Sequence, residues 1–264
     1  MPLTLPGSLS PTRVASFTDC PLAFRLRAID RIPEPPSAHT TRGTLVHTVL
    51  ERLIWDHPGD ERTPEAAAAE LERAWGELQG SDEYAALGLD PGAGASLHAE
   101  ASRLVANYFA LEDPRTVDAV GVELCLEAEL DGLRLRGIID RLDVDATGGL
   151  VVVDYKTGRA PPARYEKAKL AGVHLYALLC EQMLGRAPVE VRLLHLREPL
   201  SITATPSPQT LRGQRTRTMA VWRAIERACH RGEFAPRPSP LCDYCSYHEW
   251  CPAFGGSPPV VAPT

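Results

Sequence analysis

The chain has 264 residues, 44% of them hydrophobic, enough to bury a substantial core. No apolar run approaches the roughly 18 residues of a membrane span, and the opening Met-Pro-Leu-Thr-Leu-Pro lacks the basic and apolar regions of a secretory signal, so a cytoplasmic location is expected. A formal charge of -6 argues mildly against a polyanionic partner, and seven cysteines, an odd number, argue against a disulfide framework.

Ser10-Pro11-Thr12 places a capping hydroxyl ahead of a first-turn proline and predicts a helix that Cys20-Pro21 breaks. Beyond the stiff loop of Pro33, Pro35 and Pro36, the spacing of Leu45, Val49, Leu50 and Leu53 predicts a helix over 44–55 that carries His47. A helix over 64–78, a glycine-containing loop over 81–95 and a helix over 96–111 follow, so the chain is read as mostly helical up to about 111. Alternating apolar residues then predict strands over 120–130 and 133–144, joined by the hairpin turn Asp131-Gly132. After Thr147-Gly148-Gly149, the β-branched run over 150–155 predicts a central strand with both faces covered. A helix over 165–184, strands over 189–197 and 201–204, and a helix over 209–231 complete the predicted elements. The last helix carries Arg212, Arg215, Arg217, Arg223, Arg227 and Arg231 against the single acid Glu226, a basic lane within an acidic chain. The tail after Phe254, Gly-Gly-Ser-Pro-Pro, is expected to be disordered.

Two groups of residues carry chemistry. Hydrolysis of a phosphodiester uses a divalent cation to neutralise charge and lower the pKa of water, and hard cations such as Mg2+ take carboxylate oxygens. Asp140 on one predicted strand and Asp154 at the end of the next can converge across the tight turn between them. Lys156 lies two residues beyond Asp154, so strand alternation puts both side chains on one face, where the ammonium can orient a water and stabilise developing charge. The backbone carbonyl of Tyr155 is a further candidate ligand, whereas Asp143, Asp145 and Glu127 read as surface or turn acids. The second group is Cys20 near the start with Cys242, Cys245 and Cys251 as C-x2-C-x5-C near the end. Four thiolates can hold zinc or an iron-sulfur cluster, and spacing alone does not choose. Either would tie the first helix to the C-terminal segment. Cys125, Cys180 and Cys229 fall inside predicted strand or helix and read as free buried thiols. No Walker A loop is present, so any helicase motor would be a separate partner.

Three segments together resemble the PD-(D/E)xK nuclease superfamily, and in particular its RecB-like exonuclease branch: Arg42-Gly43-Thr44-Leu45-Val46-His47, Gly137-Ile138-Ile139-Asp140-Arg141-Leu142-Asp143, and Val152-Val153-Asp154-Tyr155-Lys156-Thr157-Gly158. The resemblance implies an α/β fold with a restriction-endonuclease-like core, a mixed central sheet flanked by helices. It places a helical part at about 44–112, a catalytic core at about 118–231 and a cluster segment at 236–254 with Cys20, in a single domain over 1–254. It implies His47, Asp140 and Asp154 as ligands of Mg2+ or Mn2+, Lys156 as the catalytic lysine, and Glu123 as a further acidic position. Tyr176 matches the tyrosine of the family's Q-x-x-x-Y motif, which contacts substrate, while Gly172 stands where the family has glutamine and His174 or Lys169 are the candidates to replace it. Cys20-Pro21-Leu22-Ala23-Phe24 and the cysteine tail resemble the 4Fe-4S staple of the AddB-type and CRISPR-adaptation nucleases, with zinc as the alternative. The implied activity is Mg- or Mn-dependent hydrolysis of DNA, as an exonuclease on single strands or ends in repair, recombination or related processing. The alternatives are a catalytically weakened DNA-binding or assembly subunit of a helicase-nuclease complex, and a zinc-stabilised nucleic-acid-binding module.

Overall fold

A computed structural model describes residues 3–162 and 166–259, the side chains at 166–169 and 171 excepted. Five strands form one sheet in the order β1 (Ala119–Leu130), β2 (Leu133–Val144), β3 (Leu150–Lys156), β4 (Glu190–His195) and β5 (Leu200–Ala204). The β1–β2 turn has Asp131 and Gly132 at φ 51° and 80°, the left-handed pair that a two-residue hairpin needs to match strand twist. β2 runs antiparallel to β3 with Arg141 opposite Val153, and β3 runs parallel to β4 with Asp154 opposite Leu193. β4 pairs antiparallel with β5, Leu193 opposite Ile202. The sheet is therefore mixed with β3 at its centre, as the β-branched run predicts. A parallel pair needs a crossover connection, which α7 (Glu166–Leu184) supplies.

The chain groups into two compact units. A central unit comprises Pro36–Leu126 and Ile138–Ser207, and a terminal unit comprises Met1–Pro35, Glu127–Gly137 and Pro208–Thr264. In the central unit, α3 (Ala38–Trp55), α4 (Pro64–Gln79), α5 (Asp82–Ala86) and α6 (Pro91–Tyr108) precede the strands. Leu45, Val49 and Leu53 of α3 pack with Leu71 of α4 and Leu97, Ala101 and Leu104 of α6 onto Val151, Val153 and Tyr155 of β3. Each such leucine contributes about 2 kcal/mol by leaving water. α7 packs against β3 and β4. Alternation along β3 turns Asp154 and Lys156 away from the side taken by Val153 and Tyr155.

In the terminal unit, α1 (Pro11–Asp19) is capped by the Ser10 hydroxyl, which accepts the Arg13 N–H at 3.2 Å. α2 (Pro21–Phe24) runs into a π-helical turn at Arg25–Ile29. α8 (Pro208–Arg231) packs against α1, and the Leu3 N–H donates to the Cys229 carbonyl at 2.9 Å. Leu22, Leu26 and Tyr247 form a small core, with the Tyr247 hydroxyl donating to the Ile32 carbonyl at 3.2 Å. The cysteine segment is three 3-10 turns, Pro240–Tyr244, His248–Trp250 and Pro252–Phe254.

Several sequence expectations need correction. α3 begins at Ala38, not 44, because Ser37 and Thr40 form a reciprocal capping box directly after the proline loop. The expected loop over 81–95 contains α5 and the first turn of α6, which Asp90 caps by accepting the Ala93 N–H at 2.8 Å. Gly94 there is a packing glycine, since an added Cβ would stand 2.5 Å from the Tyr84 hydroxyl. Asp143 is buried, not a surface acid, and Cys125 is exposed while Cys180 and Cys229 are buried. Position 165, the expected start of α7, lies outside the described residues, as does the end of the expected disordered tail; 255–259 are irregular backbone. Among the described residues no helix is long and apolar enough to cross a membrane.

Candidate active site

Three of the sequence-predicted side chains of the central unit, His47, Glu123 and Asp140, converge, while Asp154 stands outside that group. α3 carries His47, whose Nδ1 lies 3.6 Å from Asp140 Oδ2 and 3.9 Å from Glu123 Oε1. Donor atoms of these three residues all lie within 4.8 Å of one another, and they are the one such group of three or more among the described residues. Glu123 reaches this position through a left-handed backbone, φ 43°, inside an otherwise extended strand. A non-glycine residue held in that conformation costs about 1–3 kcal/mol and marks a position the surrounding structure over-determines. Asp140 Oδ2 accepts the Tyr155 backbone N–H at 2.7 Å, which fixes the carboxylate of β2 against β3. The Lys156 ammonium makes an ion pair with Asp154, which is 4% exposed.

The electrostatics fit a cation. Burial, reinforced by the charge of Asp154, pushes the Asp140 carboxyl up to about 7. Burial works against the charge on His47, but the neighbouring Glu123 carboxylate and the charges of Asp140 and Asp154 raise its pKa above the ordinary value. Lys156 is likewise disfavoured by burial and held above its ordinary value by Asp154. Burial first, then the charges of Asp154, Asp140 and Glu123, raise the Tyr176 hydroxyl. One imidazole nitrogen with several carboxylate oxygens, two of them mutually repulsive and buried, is a donor set suited to a divalent cation.

Two residues that sequence reasoning passed over stand beside these. Glu51 lies one helical turn after His47 and, with Gly43, Thr44, His47, Thr48 and Glu123, lines a cleft of about 380 Å³. Burial and the charge of Glu123 raise its carboxyl. Its i, i+4 spacing from His47 was the available signal. Arg141 was quoted only as part of a motif, yet it is fully buried on the side opposite Asp140. It donates to Glu112, Asp143, Tyr108 at 3.2 Å and the Tyr155 hydroxyl at 2.6 Å. Tyr155 thus has its side chain held in the core by Arg141 and its N–H on Asp140. Gly172, where the glutamine is missing, has open space at its Cβ position. His174 is half-buried and engaged within the chain, and the Lys169 side chain lies outside the described residues.

In the terminal unit Cys20, Cys242, Cys245 and Cys251, all half-buried, line one cleft of about 180 Å³. Their sulfurs do not come together as closely as the donors around His47 do. The Arg237 backbone N–H donates to Cys20 Sγ and that of Ser239 to Cys242 Sγ, each at 3.4 Å. Burial, then the neighbouring cysteines, raises the Cys245 thiol.

A mixed five-stranded sheet flanked by helices, with an acidic cluster and a lysine at its central strand, defines the PD-(D/E)XK class of nuclease. Residues 8–252 match the model of the PD-(D/E)XK nuclease superfamily, and the chain belongs to it. Membership implies a nucleic-acid substrate and a divalent metal. The chain is 25% identical over 293 residues to the Gene 69 protein of Mycobacterium phage L5, covering 93% of this chain and 96% of that protein. It is 26% identical over 266 residues to the Gene 69 protein of Mycobacterium phage D29, with the same coverage of 93% and 96%. The crystal structure of a candidate exonuclease from Eubacterium rectale superposes with a TM-score of 0.55 at 14% identity, covering 91% of this chain and 88% of that one, a likeness of fold.

Proposed function

We propose that the protein is a metal-dependent deoxyribonuclease that removes nucleotides from single strands or ends of DNA, in the manner of the RecB-like branch. The convergence of His47, Glu123 and Asp140 within 4.8 Å carries the reading. His47, Asp140, Asp154 and the Tyr155 carbonyl would hold Mg2+ or Mn2+, with Glu123 beside them. When bound there, the cation would neutralise phosphate charge and lower the pKa of a water. Lys156, held charged by Asp154, orients that water and supports charge developing on the phosphate. Tyr176 offers a hydroxyl next to the carboxylates for a substrate contact.

The experiment is digestion of end-labelled single- and double-stranded DNA with Mg2+ or Mn2+, comparing the wild type with Asp154→Ala and Lys156→Ala. Metal-dependent shortening from one end, lost in both variants, is expected. Wild-type activity retained by either variant at saturating Mn2+ overturns the site assignment, and uniform internal cutting overturns the exonuclease assignment.

The same proposal includes a 4Fe-4S cluster on Cys20, Cys242, Cys245 and Cys251, with zinc as the alternative; the four cysteines line one cleft. The two N–H to sulfur bonds are of the kind that tunes cluster thiolates. Brown protein with about four irons per chain is the expected product of anaerobic purification. Colourless protein with one zinc would eliminate the cluster and leave the nuclease reading in place.

A further inference from the structure

The formal charge of -6 conceals an uneven distribution. The terminal unit has 13 Lys and Arg against 10 Asp and Glu, whereas the central unit has 15 against 24. While the rest of the terminal unit has 7 Lys and Arg against 9 Asp and Glu, α8 accounts for its excess, with six arginines against the single acid Glu226. Its buried residues Leu211, Gln214, Thr218, Ile225 and Cys229 form one stripe, and at 100° per residue Arg212, Arg223, Arg227 and Arg231 fall on the opposite side. All four are exposed, as is Arg217. Arg215 is committed to Asp131 at 2.7 Å, but none of the other five has a carboxylate partner among the described residues. Between them on the same face lie Thr216, Ala220, Ala224 and His230, which add no acid. A solvated helix face normally mixes signs, because like charges at i, i+4 spacing repel. Arg223, Arg227 and Arg231 keep that spacing with Glu226, the one acid of α8, to the side of the row, and from Arg212 to Arg231 the arginines extend about 28 Å at 1.5 Å per residue.

We propose that the solvent face of α8, through Arg212, Arg217, Arg223, Arg227 and Arg231, is a sequence-independent docking track for a nucleic-acid phosphate backbone, separate from the residues that cleave it. The proposal rests on the nuclease reading for its ligand. Arginines free of internal partners release counterions from the polyanion instead of breaking existing ion pairs, so the signature of the track is a salt dependence.

The test uses the full chain with Lys156→Ala as background, to prevent cleavage, and a fluorescently labelled single-stranded oligonucleotide titrated over a range of NaCl. Arg217→Ala/Arg223→Ala/Arg227→Ala should weaken binding about tenfold or more and reduce the slope of log K against log salt by about 2, at roughly 0.7 per lost phosphate contact. Lysines at the same three positions should restore most of the slope. Alanines at Arg73, Arg115 and Arg134, which are already paired with Glu70, Asp113 and Glu127, should leave it unchanged. An unchanged slope in the α8 variant, or an equal loss in the control variant, overturns the proposal. Failure of the nuclease reading looks different: wild-type protein would then leave DNA intact while the α8 slope effect persisted.

Discussion

Arg141 has no exposed surface, and all five of its N–H groups are taken up by Glu112, Asp143, Tyr108 and Tyr155. Removing one member of such a buried network strands the others without compensation. Arg141→Met should lower stability by about 3–5 kcal/mol, measured by urea denaturation, because Glu112 and Asp143 lose the charge that offsets their burial. A loss below about 1 kcal/mol would mean that Arg192, 3.4 Å from Glu112, takes over. The sequence could have revealed part of this network. Asp143 is two residues from Arg141 and three from Asp140, so alternation already puts it with the arginine and away from the metal side. What packs on that side depends on Tyr108 and Glu112, distant in sequence and not legible from the motif. Asp140 makes a second prediction, at the same scale. Its carboxyl is raised from the ordinary value to about 7, so its protonated form favours the folded protein and that contribution disappears as pH rises from about 4 to 7. Without divalent cation, Asp140→Asn should therefore gain melting temperature over the wild type as pH increases through this window, and Mn2+ should close the gap by stabilising the wild type alone. A gap that stays constant with pH would contradict the raised carboxyl.

The elements themselves were mostly legible. β2 was expected and found over the same residues, and β3 was placed at the sheet centre from its β-branched run. The differences at 38 and 81–95 share a cause: short-range punctuation there carries two opposite meanings. Glycines at 92 and 94 suggest a loop although Asp90-Pro91 is a helix start, and the Ser37 cap is hard to see in the sequence because threonine occupies the position where glutamate or glutamine usually completes the box. Ser37→Ala should cost about 1 kcal/mol by freeing the first turn of α3, detectable as a shift of the urea midpoint without a change in slope. Gly172 offers the opposite opportunity. It sits within α7 with nothing near its Cβ position, and one turn before Tyr176 on the same face. Gly172→Gln should stabilise the protein by about 0.5–1 kcal/mol through helix propensity alone. If Tyr176 contacts substrate, the added amide should also lower KM on DNA with little change in kcat; destabilisation would mean that α7 needs the glycine for a reason its contacts do not display.

For the whole molecule, the family motifs locate the candidate site because β2 and β3 are neighbours in the sheet and α3 packs onto β3. The partition into an acidic central unit and a basic terminal one was hidden, since it requires knowing that 127–137 belongs with the chain ends. Within the terminal unit the ends are associated by the Tyr247 core and by the Leu3 to Cys229 hydrogen bond, independently of any metal. Cys20→Ser should consequently remove the iron of the proposed cluster while causing only partial loss of protease resistance in the terminal segments. Complete unfolding of those segments would show that the cluster, not the apolar contacts, holds them.

The backbone passes between the two units four times, because the terminal unit takes its middle strip, Glu127–Gly137, from the interior of the sequence. That strip buries Leu130, Leu133 and Leu135, and Leu135 bridges to Leu9. Neither unit is therefore a cassette that gene truncation or fusion could pass on alone, even though every proposed hydrolytic residue lies in one of them. A fragment spanning 36–207 would keep all of those residues and present a leucine-faced hairpin to solvent, a template for self-association. It should sediment as aggregate, and adding the missing terminal segments in trans should return it to the soluble fraction.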